Sequence, residues 1–325
     1  MKKQWSVIVL TICWLVGATA CSTTKSPTEP TKESLSSMTT GTSASEKGLE
    51  EAIALLDAGK LKQACEYLLK LSKHETGASQ VYDKAMQYLE IEDYERAFVL
   101  LKNLDYKDSR EKLQNVLDRY PGLPFKQSFP GDIVTFGKYE CDNDETNGKE
   151  DIHWEVLEKE ENRVLVICCY AVDHKPYNDF IEKVTWETCS LREWMNHTFL
   201  QEAFSDTEQL KIQSVTVPAE RNPYYDTDPG NNTADKLFLL SATEVKTYFK
   251  TDESRQCSFT PWADYLYNRG VGCAWWLRTP GCRFNEYDEN NGVYVGSLGE
   301  INYSGGAVTE RYSVGVRPAM WIAFE

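Results

Sequence analysis

Residues 274–281 read AWWLRTPG. In an extended strand the two tryptophans point to opposite faces, so Leu277 shares the face of Trp275 and Arg278 shares the face of Trp276. One tryptophan is expected in the core, packed against the returning strand that carries Met320 and Ile322. The other lies on the opposite face beside Arg278. There the pair has two readings: a surface that stacks a sugar ring and hydrogen-bonds its hydroxyls, or a structural cation–aromatic contact with a worth of ~0.5–2 kcal/mol. Arg317, beside Pro318, poses the same choice. The segment CRFNEYDENNGVY that follows is too polar for a core, and loops of this kind concentrate binding side chains. The candidate ligand-binding set is therefore Trp276, Arg278, Asn285, Tyr287, Asp288, Asn290 and Asn291.

Strand patterns extend outward from this stretch in both directions. GVYVGS, GEINYS and VGVRPAMWIAF follow it, and DIVTFGKYE, HWEVLEKE and RVLVICCYAV precede it, with the β-branched and aromatic alternation of strands. CDNDETNGKED joins the first two as an acidic hairpin turn, with Asn147 and Gly148 supplying the reversal. It misses the calcium-loop pattern, because Asp142, Asp144 and Thr146 place Gly148 one position late. TCSLREWMNHTFLQEAF reads as a helix with Leu191, Trp194, Met195, Phe199 and Ala203 on one face, capped by Thr188 or Ser190. SDTEQLKIQSV suggests a second short helix. A polar loop rich in Tyr, Asn, Asp and Pro spans 218–234, and KLFLLSATEVKTYF reads as a strand leading into a helix.

Before Pro121, Gly122 and Pro124 break the pattern, the chain is helical and repeats itself. EEAIALLDAGKLKQACEYLLKL aligns with DKAMQYLEIEDYERAFVLLKNL: Ala52 returns as Ala85, Leu61 as Tyr94, Ala64 as Ala97 and Leu71 as Leu104, each 33 positions on. Each unit reads as two short antiparallel helices with alanines at the close crossing, and KDSREKLQNVLDRY closes the stack. The units resemble tetratricopeptide repeats without the full signature of that family. They imply either a small protein-docking groove or a spacer.

The first residues, MKKQWSVIVLTICWLVGATAC, combine a basic tip, an apolar stretch from Trp5 to Ala18 and a small-residue end. Fourteen residues span only ~21 Å as a helix, short of a ~30 Å hydrocarbon core, so 1–20 reads as an export signal. ATAC resembles a bacterial lipobox, which implies cleavage before Cys21 and lipidation of its sulfur. An ordinary signal cut after Ala20 and an uncleaved anchor stay open. Residues 21–45, dominated by Ser, Thr and Pro, form a tether that cannot bury enough to order itself. The chain carries 50 acidic against 35 basic residues, a formal charge of -15. That balance repels a phosphate backbone and excludes nucleic acid as a partner. The membrane is contacted through the lipid anchor only.

Catalysis finds little footing. The histidines at 74, 153, 174 and 197 occur singly, with no zinc-binding spacing and no nucleophile elbow. None of the eight mature cysteines lies in a C-x-x-C pair, and Cys168 and Cys169 sit in an apolar run that suits buried thiols. Cys273 and Cys282, which flank the tryptophan strand, are the one disulfide the spacing suggests.

Five ordered blocks carry a resemblance: PGDIVTFGKYECDNDETNGKEDIHWEVL, VTWETCSLREWMN, DKLFLLSATEV, WWLRTPG and GVRPAMWI. Together, over about 128–325, they resemble the bacterial domain-of-unknown-function family 6273, which implies no activity. More distantly, the W-W-L-R strand, the glycine-containing hairpin and the closing G-V-R-P-A strand are similar to the C-type-lectin-like fold. That fold is shared by lectins, bacterial surface receptors and formylglycine-generating enzymes, and fold alone does not transmit function. The lectin-type calcium signatures are missing from this sequence, so no metal or other cofactor is expected.

The expected architecture is α+β: an N-terminal all-α helical-repeat segment over 46–120 and a C-type-lectin-like mixed α+β domain over 125–325. The expected role is that of an exported, lipid-anchored membrane protein with non-catalytic recognition of an extracellular or cell-wall glycan or protein. The alternatives are an envelope scaffold that docks a partner through an apolar groove on its repeats, and an oxidase akin to the formylglycine-generating enzymes. The oxidase would need two cysteine sulfurs within metal reach.

Overall fold

The computed structural model describes residues 44–267, 272–283, 290–310 and 314–324, with the side chains of Leu266, Tyr267 and Asn290 outside that description. Cys21 and the leader also lie outside it. An N-terminal helical region is followed by a β-rich domain, an α+β arrangement. No helix among the described residues is long and apolar enough to cross a membrane.

Helices α1 (Ala44–Asp57) and α2 (Leu61–Leu71) form one hairpin, and α3 (Glu75–Glu90) and α4 (Tyr94–Leu101) form another. Ala52, Ala64, Ala85 and Ala97 are all fully buried, because a larger side chain would push the crossing helices apart. The turn between helices needs a left-handed residue, and the two repeats meet that need differently. Gly59 takes φ +70°, while its equivalent 33 positions on, Glu92, is forced to +58°. Asp93 caps α4 by accepting the Arg96 amide at 3.1 Å, and the Arg96 guanidinium reaches back to Asp57 at 2.6 Å.

After α5 (Ser109–Arg119) and α6 (Leu123–Lys126) the helical part closes onto the sheets. Gly122 lies against Phe324: a Cβ there would stand 2.7 Å from the Phe324 carbonyl oxygen. Lys102 pairs with Asp132 at 3.7 Å, and Lys159 donates to the Ser128 carbonyl at 3.0 Å.

Strands β1 (Ile133–Tyr139), β2 (Glu150–Lys159) and β3 (Arg163–Cys168) form an antiparallel meander. A bulge at Gly137 (φ +72°) re-aims β1, because Phe204 and the Ala203 carbonyl leave no room for a side chain. β4 (Asp173–His174) is the first strand of a second sheet. α7 (Ser190–Trp194) and α8 (Leu200–Ala203) are joined through a π-helical turn at Met195–Phe199. Leu191, Met195, Phe199 and Ala203 face the core as the spacing predicts, and Trp194 is only partly buried. Neither expected cap operates there. Cys189 holds the cap position without a side-chain capping bond, its thiol turning to the Trp186 carbonyl at 3.6 Å, and the Thr188 and Ser190 hydroxyls accept the amides of Thr185 and Asp179 instead.

Next come α9 (Asp206–Lys211), β5 (Val215–Val217), β6 (Thr233–Asp235), α10 (Ala242–Tyr248), α11 (Asp252–Arg255) and α12 (Pro261–Tyr267). The strand expected before α10 is reduced to a single bridge from Phe238 to Ala319. β7 (Ala274–Arg283), β8 (Asn290–Val295), β9 (Ile301–Ala307) and β10 (Val314–Val316) build the second sheet, in the order β4-β10-β7-β8-β9. β11 (Ala319–Ala323) leaves that sheet and pairs antiparallel with β3, completing β1-β2-β3-β11. The tryptophan strand therefore does not pair with the strand of Met320 and Ile322. Its partners are β8 and, in parallel, β10.

Candidate functional site

Trp275 and Trp276 are both 0% exposed, although they point to opposite faces. Both faces of β7 are covered. The Trp275 indole N–H donates to the Arg255 carbonyl at 3.0 Å, and the Arg317 guanidinium lies 5.0 Å from its ring. The Trp276 N–H donates to the Lys175 carbonyl at 2.9 Å, and Tyr177 and Tyr294 meet its ring edge-on. Gly292 admits the ring edge, since a Cβ there would lie 3.0 Å from it. No sugar ring can reach either indole in this arrangement.

Arg278, 3% exposed, is likewise structural. Its Nη2 donates to Glu244 Oε1 at 2.8 Å, its Nη1 to the Leu239 carbonyl at 2.9 Å and its Nε to the Pro218 carbonyl at 3.2 Å. Glu244 also completes the capping box of α10 with Ser241, so one carboxylate both starts a helix and neutralises the buried guanidinium. Asn291 is buried too, donating to the Ser304 carbonyl at 3.2 Å and towards Cys282 Sγ at 3.4 Å. Trp276, Arg278 and Asn291 thus leave the candidate ligand set, because their polar atoms are spent inside the fold. Asn285, Tyr287 and Asp288 lie outside the described residues, as does the side chain of Asn290.

The polar loop upstream supplies the accessible chemistry. Its Asn222 amide donates to the carbonyls of Pro280 and Tyr303, both at 2.8 Å, and the Thr227 hydroxyl donates to the Gly281 carbonyl at 2.7 Å. These bonds fasten residues 218–232 across β7 and β9. Asn222 Oδ1 accepts the Tyr224 amide at 3.0 Å, turning the chain so that Tyr224 and Tyr225 stand out, 67% and 39% exposed. Tyr224 meets Tyr303 of β9 edge-on, with ring centroids 4.7 Å apart, and Lys246 Nζ lies 5.0 Å from the Tyr303 ring. A second loop is tied alongside: Lys183 pairs with Asp228 at 3.9 Å, and Glu187 accepts the Asn231 amide at 3.1 Å. Gly230 (φ +78°) lets the two loops close on Thr185. The result is a fixed aromatic patch with a flanking cation, suited to holding a ligand.

Three carboxylates, Glu140, Asp142 and Glu150, bring oxygens within 4.8 Å of one another. They are occupied by the turn itself. Glu150 Oε2 accepts the amides of Cys141 and Asp142, and Asp142 accepts from the Asp144 amide and the Asn147 side chain. The hairpin is built as expected from its sequence, with Gly148 at φ +91°.

Among the described residues all eight cysteines are free thiols. Cys273 and Cys282 stand at opposite ends of β7, nine residues apart. At ~3.3 Å per residue that is about 25–30 Å, far beyond disulfide reach. The thiol that faces Cys273 is Cys257, its antiparallel partner. Burial pushes the Cys168 thiol up and the Cys189 thiol to about 12, which keeps both inert.

A cleft of about 1150 Å³ opens between the helical region and the sheets. Its walls carry Tyr94, Arg119, Tyr120, Lys126 and Lys159. This mixed lining differs from the apolar groove that a repeat-docking role leads one to expect.

The chain belongs to the family described as "Domain of unknown function (DUF6273)", whose model matches residues 161–324. No curated protein and no solved structure matches it.

Proposed function

We propose that this DUF6273 member is an exported, lipid-anchored protein that recognises an extracellular or cell-wall ligand, without catalysis, through the face carrying Tyr224, Tyr225 and Tyr303. The observation that carries the reading is the pair of exposed tyrosines on a loop fastened to the sheet by buried Asn222 and Thr227. Large aromatics held in place at low entropic cost are what recognition surfaces use. The leader and ATAC at 18–21 support export and anchoring at Cys21. The two helix hairpins support a tetratricopeptide-like spacer that lifts the domain off the membrane. A C-type-lectin-like character is favoured by the return of β11 to pair with an early strand.

The test is binding of the purified mature chain to arrays of glycans and cell-wall fragments, with and without chelator. Saturable binding weakened about tenfold or more by Tyr224→Ala or Tyr303→Ala, at unchanged melting temperature, supports the reading. Binding that survives both substitutions removes the tyrosine face as the site. Absence of any glycan binding shifts the ligand to an envelope protein, to be captured by cross-linking through the same tyrosines.

A further inference from the structure

We propose that Cys257 and Cys273 are a redox pair that closes to a disulfide by thiol–disulfide exchange, with Cys257 as the attacking thiol. The inference is independent of what the tyrosine face binds.

The geometry comes from the backbone. The two residues are antiparallel bridge partners, the segment after α11 lying against the start of β7. Directly opposed antiparallel residues stand about 4.5–5.5 Å apart at Cα with both side chains on one face. That separation falls inside the ~4.4–6.8 Å window of protein disulfides, so the backbone already holds the two residues within closing distance. The Cys257 thiol donates to the Ser258 carbonyl at 3.3 Å and the Cys273 thiol to the Ala274 carbonyl at 3.3 Å, weak local bonds that side-chain rotation breaks.

The two sulfurs are unequal in a way that assigns their roles. Cys257 is partly exposed, whereas Cys273 is 1% exposed. An incoming disulfide therefore meets Cys257 first. Arg317 provides the charge that the attack needs. Its guanidinium is 3% exposed, held by a 2.7 Å bond from Nε to the Cys168 carbonyl and sandwiched against Phe249 and Trp275. Its Nη1 has no hydrogen-bond partner among the described residues. Its Nη2 lies 3.8 Å from Glu155, and the buried guanidinium's positive charge also acts on Cys257, where it favours the thiolate. Hydrogen bonding from Cys273, helped by Arg317, accordingly lowers the Cys257 thiol, while burial raises Cys273. Elsewhere in this protein, burial drives the neighbouring thiols Cys168 and Cys169 upward.

The oxidant is another disulfide, small-molecule or protein. The Cys257 thiolate attacks one of its sulfurs, breaking that S–S bond, expelling one thiolate and leaving a mixed disulfide. Cys273 loses its proton as it attacks Cys257 Sγ and displaces the second thiolate. The protein gives up two electrons and two protons, and the oxidant leaves as two thiols.

The experiment equilibrates the full reduced chain in glutathione buffers of increasing oxidised fraction, quenches with acid, alkylates the remaining thiols and maps peptides by mass spectrometry. The expected product is a single Cys257–Cys273 cross-link, formed with loss of two hydrogens and with both thiols protected from alkylation. With Cys273→Ala, Cys257 accumulates instead as a glutathione mixed disulfide. Before oxidation, Cys257 alkylates at neutral pH about tenfold faster than an ordinary thiol. The proposal is overturned if both thiols remain alkylatable at every glutathione ratio, or if the cross-link joins Cys257 to Cys169. It is equally overturned if the pair takes up copper(I) stoichiometrically and resists oxidation. Should Cys273→Ala fail to fold, the wild-type cross-link map alone decides.

Discussion

Arg278 and Glu244 meet across the junction between β7 and the first turn of α10, the guanidinium buried and the carboxylate partly open to solvent. Two backbone carbonyls, Leu239 and Pro218, take up the remaining donors. Removing the Glu244 carboxylate leaves the buried guanidinium only the more distant Glu220, 3.9 Å from Nη2, as an opposite charge. Glu244→Ala is therefore expected to cost about 3 kcal/mol or more. Arg278→Lys is expected to approach the same loss, because a point ammonium cannot span three fixed acceptors. Urea denaturation reads both; a loss below about 1 kcal/mol would show the pair to be solvent-relaxed.

The turn residues of the two helix hairpins give a matched pair. Glu92→Gly releases a left-handed strain and is expected to stabilise the protein by about 0.5–1 kcal/mol, while Gly59→Ala, which meets no atom, is expected to cost about 1 kcal/mol. Gly137→Ala adds a collision with Phe204 and the Ala203 carbonyl to the same strain, so its cost is expected to exceed about 2 kcal/mol. Thermal melts of the three variants should rank in that order.

His174 stacks on Phe259 at 4.0 Å, and burial pushes its imidazole down to about 4. The neutral ring is the favoured form in the folded protein. Its contribution is fully present above about pH 6.5, the unfolded value, and is lost as pH falls towards about 4, by up to roughly 3 kcal/mol. The charges acting on this region are Asp264, which opposes the shift, and the neighbouring Asp173, itself paired with Lys175 and bonded to Tyr139. Burial raises the Asp173 carboxyl, so its contribution runs the other way, present at low pH and lost as pH rises through its folded value. Stability measured from pH 7 to 4 should fall less steeply in His174→Gln than in the wild type. Parallel curves would remove His174 as the cause.

Tyr225→Ala and Lys246→Ala alter only exposed or lightly packed groups, and each is expected to change stability by less than about 0.5 kcal/mol. Asn222→Ala is different. It strands the Pro280 and Tyr303 carbonyls, and is expected to cost about 1–3 kcal/mol while loosening the tyrosine loop. Hydrogen exchange at residues 219–228 should rise in that variant alone.

Periodicity carried much of the architecture. The helical repeat, the strand alternation around Trp154 and Trp275 and the polar loops are all local patterns, and local patterns survive in a single sequence. What lay beyond reach depends on distant partners. Nothing in AWWLRTPG reveals that Tyr177 and Lys175, about a hundred positions upstream, cover the second tryptophan, or that Glu244 waits for Arg278. The pairing of Cys257 is hidden for the same reason, because its partner is set by a bridge between two segments and not by spacing. Tyr224 and Tyr225 were visible as part of a polar loop; their outward aim follows from Asn222, whose two carbonyl partners come from different strands.

The last strands have a consequence for how the protein is made. β10 is the link between β4 and β7 in one sheet, and β11 is the closing strand of the other. Neither sheet is complete until residues 314–323 have been synthesised, and pairings so distant in sequence form slowly. The domain must therefore wait, partly assembled, for β10 and β11 to emerge. A chain cut short before Val314 is expected to be a substrate for proteases and not a smaller version of the protein.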